Sequence, residues 1–241
     1  MNFSKELKRL ARENLAGNYR ITMGALLITF AIPMIIEFPF SKLVESKAPT
    51  PIQMTIYYIA EILIAILSGV LSLGINHIHL NIARKIKTSS NQVFICFKSQ
   101  TDRYILGYGL YFLMSMLTAA PGFVALYMIR KKTYMNTILI CIGLAFISLI
   151  LQLVLSLVYG FLSFVMIDRQ DMKILDCFKY SRTLIKGKKG KLFYLILSFI
   201  GLELLGLLSL GIGLLWVEPY KQQTLACFYR NATGEAFNEY V

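Results

Sequence analysis

The stretch Tyr134–Ile167, YMNTILICIGLAFISLILQLVLSLVYGFLSFVMI, contains no charged side chain. As one helix it would be ~51 Å long at 1.5 Å per residue, well beyond the ~30 Å of hydrocarbon in a bilayer. Two full spans do not fit within it. It must therefore tilt, project from the membrane or break, and a single long tilted helix that continues past the inner surface is the expected solution.

Working outward, the same apolar grain recurs. Of the 241 residues 56% are hydrophobic and only 16% charged, whereas a soluble domain carries about a quarter charged residues. Toward the N-terminus lie spans from about Ile21 to Ile36, Thr55 to Leu80 and Tyr104 to Met128. The first contains Pro33, and the third carries Pro121–Gly122, where a kink is expected. Glu37, Pro39, Lys42, Glu45, Pro49 and Pro51 mark a polar loop between the first two. Toward the C-terminus a fifth span runs from about Leu192 to Leu208. A sixth, from about Ile212 to Arg230, would have to hold Glu218, Pro219 and Lys221, which is costly in lipid. The alternative is five spans with an exposed tail. The fold class is thus all-α, a polytopic helical membrane protein of about six transmembrane helices, or five, with amphipathic surface helices. Residues 1–17 form an N-terminal amphipathic helix, 18–231 the transmembrane domain and 232–241 a short tail.

Three connectors are amphipathic. In 3–16, Phe3, Leu7, Leu10 and Ala11 share a stripe while Lys5, Lys8, Arg9 and Arg12 occupy much of the rest, a pattern suited to an anionic membrane surface. Val93, Phe94 and Phe97 suggest a short interfacial helix. The most basic connector, 168–191, sets Ile174, Leu175, Phe178, Leu184 and Ile185 against eight Lys and Arg, and is expected to lie along the lipid surface. Cys96–Phe97–Lys98 and Cys177–Phe178–Lys179 echo one another between spans, as in a duplicated unit.

The formal charge is +12. In a soluble protein that surplus would point to nucleic acid, but here the basic residues sit in short connectors, as orientation signals do, and no nucleic-acid partner is expected. With six spans and the N-terminus inside, 19 of the 25 Lys and Arg fall on the cytoplasmic side. Arg130, Lys131 and Lys132 are the one discordant cluster. The lipid partner implied is a bilayer with an anionic inner leaflet. Four scattered cysteines, Cys96, Cys141, Cys177 and Cys227, form no C-x-x-C pair and are expected to be free thiols.

No nucleophile elbow, metalloprotease helix, P-loop or dinucleotide fingerprint occurs, so no catalytic residue and no cofactor is assigned. His77 and His79, two apart on a helix, point to different faces and make a poor metal pair. The candidate intramembrane polar site is Glu61, Glu203, Glu218 and Lys221. Each Glu lies one to two turns from the outer end of its span, and Lys221 is one turn from Glu218. Converging carboxylates at one depth would hold a proton or a cation; the simpler alternative is that each reaches toward the headgroups or pairs with a helix neighbour. Ser68-x-x-x-Ser72 and Gly107-x-Gly109 are read as close helix contacts.

A set of short motifs resembles one family. They are Leu7, Ala11-Arg12 and Gly17-Asn18-Tyr19; Ser181, Lys186-Gly187 and Leu192-Phe193; Leu197-Ser198-Phe199-Ile200-Gly201, Gly211-Ile212-Gly213, Pro219-Tyr220 and Phe228-Tyr229. Together they resemble the bacterial integral-membrane family called domain of unknown function 975. The resemblance implies a multi-pass protein of the bacterial cytoplasmic membrane with no established activity. A more distant likeness, to the membrane portion found with some glycerophosphodiester phosphodiesterases, implies six spans. No phosphodiesterase domain is present, so no hydrolase activity is implied. Glu218 and Lys221 depart from the more apolar pattern around Pro219-Tyr220. The functional expectation is a non-enzymatic membrane protein, either passing a small solute or ion, or acting as an accessory or protective partner of other membrane proteins.

Overall fold

The computed structural model describes residues 3–45, 49–131 and 135–235. Lys132 of the discordant basic cluster and residues 236–241 of the tail lie outside these. The described residues form helices, and no strand occurs among them. They are α1 (Phe3–Leu15), α2 (Tyr19–Val44), α3 (Pro51–Ala83), a 3-10 turn (Ser90–Phe94), α4 (Ile95–Lys98), α5 (Thr101–Lys131), α6 (Met135–Val158), α7 (Leu162–Asp168), α8 (Ile174–Ile185), α9 (Lys189–Leu197), α10 (Ile200–Leu208) and α11 (Leu214–Thr233).

Five segments are long and apolar enough to cross a membrane: α2, α3, α5, α6 continued by α7, and α9 continued by α10. The sixth segment is a helix, α11, but its charged residues keep it out of that set. Several boundaries move. The expected loop around Pro39 is helical, because α2 runs through Pro33 and Pro39 to Val44. The α3 helix begins at Pro51, four residues before the expected Thr55. A capping box starts it: the Gln53 N–H donates to Thr50 Oγ1, and the Thr50 N–H donates to Gln53 Oε1 at 2.8 Å. Proline at the first helical position has no amide hydrogen to leave unsatisfied.

The uncharged run breaks rather than tilting as one rod. A turn at 159–161 separates α6 from α7. The reason is visible in burial: α6 faces lipid along most of its length, whereas Leu162, Phe164, Val165, Met166 and Ile167 are buried in the protein core. The fifth span is broken too, at Ser198–Phe199.

The helices pair as three antiparallel hairpins, α2 with α3, α5 with α6, and α10 with α11, and α11 packs on α1 and α3 as well. Within α5/α6, the Gln152 amide donates to Ser115 O at 2.9 Å. Pro121 removes one helix donor, and the Ser148 hydroxyl of α6 donates into the same turn, to Thr118 O at 3.3 Å. The hairpins meet at one end, the base, and share no core at their tips. The base core gathers Leu73, Leu80, Phe161, Phe164, Met166, Ile185, Leu195, Phe228 and Tyr229. Toward the tips Met34, Leu63, Leu117, Phe146 and Leu208 are exposed.

The amphipathic helices serve this core. Leu7, Ala11 and Leu15 of α1 are buried, and α1 packs on α11. Its apolar stripe therefore meets protein rather than lipid. The α8 helix likewise turns Ile174, Cys177, Phe178 and Ile185 inward. Cys96 and Cys177, the two ends of the sequence echo, are both buried in connector helices of the base, and all four cysteines are free. Gly17 and Gly187 follow α1 and α8 at φ +81° and +77°, which favours glycine there and accounts for two of the family motifs.

Candidate functional site

Of the four sequence-assigned residues, three meet. Lys221 Nζ of α11 lies 2.7 Å from Glu203 of α10 and 3.3 Å from Glu218 one turn earlier. Gly206 lets the two helices approach, since a Cβ there would lie 2.8 Å from Leu214. All three side chains are partly buried, so one lysine offsets two carboxylates.

Glu61 does not join them. His79 of α3 lies 2.8 Å from the Gln223 side-chain amide of α11, and both helices run toward the base. That contact sets the relative height of the two helices. Glu61 then sits roughly 20 Å further toward the tips than Glu218, at 1.5 Å per residue. Its recorded neighbour is Tyr57, one turn away on the same helix. The expectation of one shared depth is corrected on this point: counting from span ends misled because α3 has 33 residues whereas α11, which carries Glu218 and Lys221, has 20. His77 and His79 have separate neighbours, Asn81 and Gln223.

A second set of groups was not singled out from sequence. Where the three hairpins converge lies a cavity of about 390 Å³. Its wall takes Ser72 and Asn76 from α3, Tyr108 and Tyr111 from α5, Tyr159 and Ser163 from the α6–α7 break, and Gln222 from α11. None of its described lining residues is charged. Asn76 is buried, yet neither its amide nor the polar ends of the other six appear in any hydrogen bond between described residues. Asn76 alone of the seven is a buried residue, Ser72 is exposed and the rest are partly buried, so these polar ends are open to water or a ligand at the cavity wall. The cavity lies ~10–17 Å from the end of α3, counting residues 72–76 back from Ala83 at 1.5 Å per residue. Its size falls among those of small-molecule pockets. Ser72 had been read as a packing residue, and the signal that pointed elsewhere was Asn76, an amide inside an apolar run.

Beneath the cavity, ions lock the base. Arg84 donates to Asp168 at 2.7 Å and to Glu235 at 2.7 and 3.0 Å. The Tyr229 hydroxyl donates to Asp168 at 2.8 Å, and Arg230 donates to the Ala83 carbonyl. Burial alone would raise the Glu235 pKa, but the Arg84 hydrogen bonds and charge outweigh it and hold the carboxyl below 4.5. Burial pushes the Cys96 thiol up to about 12, so it is not a reactive thiolate. Arg103 gathers the α7–α8 connection by donating to the carbonyls of Met166, Arg169 and Met172 at 2.7, 2.8 and 3.2 Å. Lys8 of α1 donates to Ser198 O at 3.0 Å, supplying a donor at the α9–α10 break, and stands over the Phe199 ring.

Apolar spans in hairpins around a polar cavity define a multi-pass helical membrane protein. The chain belongs to the family described as Protein of unknown function (DUF975), whose model matches residues 1–236. Comparison with curated proteins gave no match, and comparison with solved structures gave none.

Proposed function

We propose that this is a non-enzymatic protein of the bacterial cytoplasmic membrane that binds a small uncharged, hydrogen-bonding solute in the cavity between its hairpins and lets it permeate. The observation that carries this reading is the ring of seven polar side chains with no hydrogen-bond partner among the described residues. Hydroxyls and amides both donate and accept, so they match alcohol, amide or urea-like groups. An ion would find no countercharge on the lining and would have to shed its water at high cost. Broken spans beside the cavity support the same reading, because discontinuous helices line the substrate sites of many transporters. The surplus of Lys and Arg in the base connectors supports a cytoplasmic base. The ion cluster of Glu203, Glu218 and Lys221, one residue from Gln222, is read as neutralised charge that holds α10 to α11.

The test is flux through vesicles holding the purified protein alone, with a panel of neutral solutes including glycerol and urea. Wild type is expected to speed entry of at least one of them about tenfold over empty vesicles. Asn76→Leu combined with Tyr111→Phe should remove most of that gain, since losing buried hydrogen bonds worth ~1–3 kcal/mol is about a tenfold effect or more. No acceleration for any solute would reject permeation and leave the accessory role, which needs no substrate movement.

A further inference from the structure

A second concave surface lies at the rim of the base, apart from the central cavity. It is an open groove of about 460 Å³ lined by Val158, Lys179, Arg182, Thr183, Lys186 and Lys189. The four cations come from two elements. Lys179, Arg182 and Lys186 stand on one side of α8 and at its end, and Lys189 opens α9. All four are exposed. Only Lys179 has an ionic partner, Asp176 at 3.2 Å. The side chains of Arg182, Lys186 and Lys189 have no hydrogen bond or ion pair with any described residue. Like charges so placed repel one another, and nothing in the packing requires them to share one groove.

One lining residue, Val158, is apolar, and the groove borders two spans. Val158 is the last residue of α6, and Lys189 is the first of α9, so the groove sits where two spans leave the membrane. One turn into the span, Val154 is half-exposed on α6, and Phe193 and Leu197 continue from Lys189 along α9 with Tyr194 beside them. The α9 N-terminus, which Lys189 opens, has no side-chain cap. At Gly187 in the α8–α9 turn and Gly190 in the first turn of α9 an added Cβ would meet nothing within 4 Å, so backbone as well as side chains is open to a ligand.

We propose that this groove binds the phosphodiester headgroup of an anionic phospholipid, with its acyl chains along the exposed faces of α6 and α9. Diffuse attraction to an anionic leaflet needs only basic residues near the surface, in any arrangement. A headgroup site needs what is present here: several unpaired donors converging on one concavity, next to an apolar track. Arg182 supplies a planar fork that suits two phosphate oxygens, and the lysines supply point charges around it. The site is independent of the permeation reading, and either can fail without the other.

The experiment is native mass spectrometry of the full chain in neutral detergent, titrated with phosphatidylglycerol or phosphatidylcholine. Wild type should take up one phosphatidylglycerol at least about tenfold more tightly than phosphatidylcholine, several basic residues contributing at the surface. Arg182→Gln/Lys186→Gln/Lys189→Gln should lose that preference. The control Lys85→Gln/Lys87→Gln/Lys98→Gln removes the same charge from other exposed positions of the base and should change it less than about twofold, as expected when the charges removed lie outside the contact. Lys186→Glu alone, at an exposed position after α8, should also abolish the preference. Equal losses in the two triple variants would overturn the proposal in favour of diffuse attraction. Displacement of the lipid by millimolar inorganic phosphate, with saturable phosphate binding that the groove variant lacks, would overturn it in favour of a free anion.

Discussion

Gly74→Ala should destabilise the protein by ~3 kcal/mol, the upper part of the usual range for overpacking a tight core. A Cβ at position 74 would lie 2.0 Å from the carbonyl oxygen of Val93 and 2.6 Å from its carbonyl carbon. Those are backbone atoms of the 3-10 turn, so no rotamer change relieves the clash. The turn itself is wedged in: Val93 is fully buried with Ala25, Leu71, Ile75 and Ile78. The Ser90 hydroxyl also donates to Ile21 O at 2.9 Å and fastens the turn to α2. Moving the turn therefore unpacks the first hairpin at its root. Thermal unfolding in detergent should show a midpoint lower by roughly 6–12 °C, using the scale for chains of this size. Gly109→Ala is the matched control, because nothing lies within 4 Å of its Cβ position. It should be neutral or gain up to ~1 kcal/mol from helix propensity. A Gly74→Ala protein as stable as wild type would show that the 3-10 turn does not hold the two helices together.

Arg84→Met should cost a similar amount, ~3 kcal/mol, at the low end for breaking a buried charge network because Arg84 keeps some contact with solvent. The guanidinium is shared by Asp168 of α7 and Glu235 beyond α11, and so ties two parts of the chain to the end of α3. Without it, Asp168 is left nearly buried with only the Tyr229 hydroxyl and a distant Arg169. The double variant Arg84→Met/Asp168→Leu should recover part of the loss, since it leaves no orphaned charge at position 168 and Glu235 keeps Arg230 at 3.6 Å. Unfolding midpoints of the two variants measure this, and a double variant less stable than the single would contradict it. In the wild type the sign of the pH effect follows from Glu235. Its pKa is lowered on folding, so its contribution is complete above the ordinary value of 4.5 and is lost as pH falls through the lower folded value. Arg84→Met should lack that acid-dependent step.

The spans were readable in the sequence because their signal is local: uninterrupted apolar runs bounded by Lys and Arg. The break at 159–161 was not, because Gly160 inside an apolar run looks the same in a continuous helix and at a turn. What decides it is that the next six residues pack in the base. The amphipathic stripe of α1 was also plain, but a stripe does not say whether lipid or protein covers it, and here α11 does. The meeting of Glu203 and Glu218 with Lys221 followed from a hairpin of two nearly equal arms. The placement of Glu61 failed because α3, with 33 residues, outruns the 20-residue α11. The cavity was hidden for a further reason. Ser72, Asn76, Tyr108 and Ser163 are far apart in sequence and individually unremarkable, and only the convergence of three hairpins gives them a common space.

The account rests on α11 returning to the base, which places both ends of the described chain and both long connectors, 84–100 and 169–188, on one side of the membrane. The direct test is a pair of topology reporters, one before Met1 and one after Val241, read in cells. Both should report the cytoplasm. A cytoplasmic signal at the start with an external one at the end would mean that α11 does not come back to Arg84. The base network, and the cavity wall that Gln222 supplies, would then both be wrong.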